Sequence, residues 1–73
     1  MIIRTADING DMELAILKAI AVAPWYAVVT RRDGDSFAGY LRMRGDLVEL
    51  TDEIGGDVFA RFTADEIKEV RLP

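Results

Sequence analysis

The sequence predicts a mainly β fold: a small, five-stranded, strongly bent open barrel of SH3-like or Sm-like shape, preceded by one N-terminal α-helix. Three observations carry this expectation. From Trp25 onward the apolar residues recur with a period of two. Asp33-Gly34 stands between two such runs as a hairpin link, and Gly39 falls in the middle of the second run, where a sheet needs a bend. At 73 residues the chain reads as a single domain, 1–73. A domain of this size buries only about 60% of its unfolded surface, so its core is thin unless partners add to it.

The helix is expected over Asp11 to Ala21. Asn9 can cap it, Asp11 and Glu13 suit the positive end of its dipole, and Pro24 stops it. Its polar residues form no clean stripe, so it can lie across a barrel mouth or also touch another subunit. Strand one is expected over Trp25 to Arg32 and strand two over Ser36 to Arg44. A type I′ turn at Asp33-Gly34 would set Arg32 opposite Asp35, Thr30 opposite Phe37, Val28 opposite Gly39 and Tyr26 opposite Leu41. Gly45-Asp46 leads into strand three, Leu47 to Thr51. Residues Asp52 to Gly56 form the next turn, and strand four follows from Asp57 to Phe62. Thr63-Ala64-Asp65-Glu66 has the capping-box pattern of one helical turn, and Ile67 to Leu72 reads as the last strand.

Composition narrows the chemistry. There is no cysteine and no histidine, which removes thiolate zinc sites and the commonest acid/base group. Ser36 is the only serine and has no histidine to activate it; Lys18 and Lys68 sit on other elements. Asp33 and Asp35, and the acids around Gly55-Gly56, lack the spacing of a calcium loop and read as turn residues. No catalytic residue, metal or cofactor is therefore expected. The longest apolar run is broken by Lys18 and Pro24 and is too short to span a bilayer, and Met1 to Thr5 lacks signal-peptide features, so the cytoplasm is the expected location.

Net charge is −4, nine Lys/Arg against thirteen Asp/Glu, which disfavours a strong nonspecific grip on phosphate. A local basic patch is still readable. In the I′ register Arg31, Arg42 and Arg44 share the outer face of the hairpin with Tyr40 and Trp25, a pattern that suits single-stranded nucleic acid. The plain alternative is a solvated face whose arginines pair with Glu49 or Asp46. Tyr26 and Trp25 read as core and interface anchors.

Taken together, the helix, the bent hairpin with Asp33-Gly34, Phe37, Gly39 and Leu41, then Asp46-Leu47-Val48 and two further strands around a short helical turn resemble the Sm/Lsm family, including its bacterial Hfq branch, over about residues 12–72. The resemblance implies a homo-oligomeric ring in which strand four of one subunit pairs with strand five of the next. Val58, Phe59, Arg61, Phe62, Ile67, Val70 and Leu72 would then line the interface. It also implies RNA as a partner, but the family's RNA-contacting positions depart here. The loop after strand two shrinks to Gly45-Asp46, and Thr63-Ala64 stands where an Arg-Gly or Lys-His pair is usual. The expected function is a noncatalytic, ring-forming assembly module, with Arg31, Tyr40, Arg42 and Arg44 as the candidate residues should it bind RNA. The alternative is an SH3-like protein-interaction domain of a larger phage or bacterial assembly.

Overall fold

The computed structural model describes residues 2–4, 25–45 and 47–73. The helix expected over Asp11 to Ala21 lies outside them. The described residues form an open, antiparallel six-stranded sheet: β1 (Ile2–Arg4), β2 (Tyr26–Arg31), β3 (Ser36–Arg44), β4 (Leu47–Thr51), β5 (Val58–Thr63) and β6 (Ile67–Arg71), in spatial order β1-β6-β2-β3-β4-β5. The strand Ile2–Arg4 was not expected, so the sheet has six strands rather than five. It pairs with the last strand, Ile3 opposite Val70, and carries Ile3 into the core.

Alternation puts the core on one face. Ala27 and Val29 of β2, Leu41 of β3, Val48 and Leu50 of β4, Phe62 of β5 and Ile67 and Val70 of β6 are all buried there, joined by Ile3 and Leu72. A sheet with one apolar face and no second layer among the described residues must curl around that face. The Phe37 and Phe62 rings, on strands that are not neighbours, lie 5.5 Å apart.

The first hairpin departs from the expected register by one residue. The Gly34 amide donates to the Arg31 carbonyl (3.0 Å) and the Arg31 amide to the Asp35 carbonyl (2.8 Å), so the loop has three residues, Arg32, Asp33 and Gly34. Gly34 takes a φ of 100°, the left-handed conformation that ends such a loop, and the Asp33 carboxylate accepts from the Asp35 amide at 3.1 Å. Val29 therefore faces Phe37, Ala27 faces Gly39 and Tyr26 faces Tyr40. One residue of slip exchanges the faces of a strand. Ala27 and Val29 turn inward, while Tyr26, Val28 and Thr30 turn outward. Trp25, expected among the outer arginines, instead packs half-buried against the core.

Gly39 lies within an unbroken nine-residue strand. A Cβ there would come within 2.8 Å of both the Phe59 ring and the Thr51 carbonyl oxygen. Its role is to let β5 side chains and β4 backbone close over β3. The chain then runs through β5 into a 3-10 turn, Ala64–Glu66, in the expected place, with the Thr63 amide donating to the Glu66 carboxylate at 3.1 Å.

Because the backbone oxygen of Thr51 cannot swing aside as a side chain can, Gly39→Ala is expected to lower stability by about 1–3 kcal/mol, read from the urea midpoint. An unchanged midpoint would show that the sheet does not need this close approach.

Candidate functional site

The outer face of the sheet is organised by one buried carboxylate. Glu49 on β4 stands directly opposite Arg42 of β3 on one side and Arg61 of β5 on the other. Its side chain is 0% exposed, and its two oxygens accept hydrogen bonds from Nε of Arg42 and Nε of Arg61, each at 2.8 Å. Burying a carboxylate without partners is costly, and two charge-assisted hydrogen bonds offset that cost. The Arg61 hydrogen bond holds the Glu49 carboxyl below its usual range, with burial pulling the other way and Arg42 reinforcing Arg61. Both arginines are about half exposed, so the row presents two fixed guanidinium groups to solvent and carries net positive charge.

Two further features flank the row. Tyr40 lies on the same face of β3 as Arg42, and its ring meets Tyr26 edge-on with centroids 5.3 Å apart. Arg44, at the far end of β3, is exposed, and among the described residues no acid forms an ion pair with it. Tyr40, Arg42 and Arg44 are thus brought together as the sequence suggested. Arg31 is not with them. It points to the hairpin tip, 3.7 Å from Asp33 and 3.5 Å from Glu66.

At that tip the Arg32 amide donates to the Glu66 carbonyl at 3.0 Å and Arg32 Nε to the Asp65 carbonyl, clamping the β2–β3 loop to the 3-10 turn. Arg31, Arg32, Asp33, Asp65 and Glu66 line a shallow cleft of about 280 Å³ whose charges answer one another. Glu66 is held low by the Thr63 amide first and its hydroxyl second.

Of the expected interface residues, Val58, Phe59 and Arg61 sit on β5, the outer strand of the sheet, and Phe59 is 51% exposed. Phe62, Ile67, Val70 and Leu72 are buried in the chain's own core. Of these only Phe62 lies on an edge strand, where its backbone alone could take part in a contact; Val70 is paired on both sides, with Ile3 and Val29.

What the outer face can do is hold an anionic group, carboxylate or phosphate, against guanidinium donors beside an aromatic surface. Sequence pattern found Arg42, Arg44 and Tyr40. Arg61, expected at the ring interface, and Tyr26, expected as a core and interface anchor, also stand on this face, because their positions follow from the β4–β5 register and the three-residue loop. The sequence matches no family model, and comparison with curated proteins and with solved structures gave no significant match.

Glu49 supports the fold only while ionised. Its folded pKa lies below the ordinary value of 4.5, so its contribution is complete above pH 4.5 and lost as pH falls through the lower folded value. Glu49→Gln is expected to cost about 3 kcal/mol at pH 7, toward the low end for a broken buried pair because both arginines can turn to water. It should also flatten the acid limb of a stability-versus-pH curve, measured by denaturant melts; an unaltered limb would place the acid sensitivity elsewhere.

Proposed function

We propose that this chain is a noncatalytic, Sm-like assembly module that associates head to tail with copies of itself into a closed ring. The observation that carries the reading is the pair of sheet edges. Among the described residues β1 and β5 each have a neighbour on one side only, and they stand at opposite ends of the strand order. Unpaired edges are ready templates for another chain, and a head-to-tail contact that closes satisfies both at once.

The edges are not those of the family's usual contact. β6 is already paired with β1 over Glu69–Arg71, so the incoming β5 would meet β1. The bulge at Phe59, which has no residue opposite it on β4, limits the pairing stretch to Ala60–Thr63. Phe59 itself, half exposed over Gly39, would then be covered by the neighbour. The noncatalytic part of the reading rests on composition, which supplies neither histidine nor cysteine.

Sedimentation equilibrium from micromolar to millimolar protein tests the proposal. The expected mass is that of a closed ring larger than a dimer of the 8.1 kDa chain, and Phe59→Lys should weaken that ring at least tenfold while leaving the circular dichroism spectrum unchanged. An 8.1 kDa species throughout would overturn it.

A further inference from the structure

The turn between β4 and β5, residues 52–57, has a composition that the sheet edges do not explain. Asp52, Glu53 and Asp57 are exposed, and among the described residues no cation pairs with any of them. Ile54 is 64% exposed. The turn is nonetheless built rather than loose. Gly56 donates its amide to the Glu53 carbonyl at 2.8 Å, Thr51 donates its hydroxyl to the same carbonyl at 2.8 Å, and Gly55 takes a φ of 74°. A fixed turn that holds an apolar side chain among three acids is a projection with a defined chemistry.

Its complement lies on the same molecule but out of its own reach. Thr51, from which the turn starts, pairs with Tyr40 at one end of the outer face. At the other end Arg44 pairs with the half-buried Leu47, giving an exposed cation beside an apolar side chain. Tyr40 and Arg44 are four residues apart on one strand, about 14 Å at the usual rise. An acid at the turn cannot pair with Arg44 of its own chain at that distance, but a second copy laid antiparallel on the same face brings the two together twice.

We propose that the outer sheet face is a two-fold interface in which the 52–57 turn of each copy docks on the Arg44 end of the other, Ile54 against Leu47 and Asp52 and Glu53 against Arg44. The two patches lie at opposite ends of the β3–β4 pair and complement each other, as an isologous contact requires. Near the axis Glu49 cancels one of the two charges of Arg42 and Arg61. A nucleic acid would answer the arginines too, but it would leave Ile54 uncovered and the acids of the turn without a partner. This contact uses the sheet face and is separate from the edge contact of the ring.

The test is a charge exchange on the full chain. In the Phe59→Lys background, which disables the edge, sedimentation should still show a dimer whose affinity falls with added salt. Arg44→Glu alone, and Asp52→Arg with Glu53→Arg, should each weaken that dimer at least tenfold with unchanged thermal melts. An equimolar mixture of the two variants should restore it, since both contacts then again join opposite charges. No dimer in the Phe59→Lys background, unchanged affinity in either variant, or no recovery on mixing would overturn the proposal without touching the edge reading. Arg44-dependent, salt-sensitive binding of oligo-U by the wild type, with no recovery on mixing, would likewise overturn it and assign the face to nucleic acid.

Discussion

The structure turns on a single carboxylate placed where alternation would ordinarily leave a solvated side chain. Glu49 lies on the face of β4 opposite the core, yet it is wholly buried, and only the guanidinium groups of Arg42 and Arg61 make that position tolerable. The row ties β3, β4 and β5 together on the outside while Leu41, Leu50 and Val48 tie them on the inside. β4 is thereby gripped from both faces, with four of its five residues buried. The same row fixes where two of the outer cations point, so the strand that is most protected also determines the surface the protein offers.

The thin core explains why edges and surface matter so much. Among the described residues ten apolar side chains, gathered by one face of one sheet, form the buried cluster. The sheet reaches closure of that cluster by curling, which demands the missing side chain at Gly39, and it still ends in β1 and β5. A small fold of this kind gains from any partner that covers an edge or an exposed apolar group, and Phe59, Ile54, Tyr26 and Ile2 are all large, apolar and exposed. The four are spread over the edges, one turn and one face.

Much of the fold was legible because its signals are local. The period-two runs gave β3 and β4 with the bounds observed, Ser36–Arg44 and Leu47–Thr51, and the Thr63 to Glu66 pattern placed the 3-10 turn. Asp33-Gly34 was legible as a turn but not as a three-residue loop, since the same dipeptide serves both, and the choice reversed the faces of β2. Tyr26 moved outward and Trp25 inward for that reason alone. β1 gave no signal because three residues hold no period and their partners lie 65 to 69 positions away. Glu49 could be read as an arginine partner, but its burial depends on Arg61, whose place is set by the β4–β5 register.

The pairing of β1 with β6 also orders events in time. β1 comes far ahead in the sequence of β6, its only strand neighbour among the described residues. Contacts so far apart in sequence close slowly, since a long loop must be brought together before they repay it. During synthesis the hairpins β2–β3 and β3–β4 can zip up as they emerge, each from adjacent residues. Ile3 meets its cross-strand neighbour Val70 only once β6 has been made. The pairing of β1 with β6 is thus the longest-range contact between neighbouring strands of the sheet, and it follows the local hairpins.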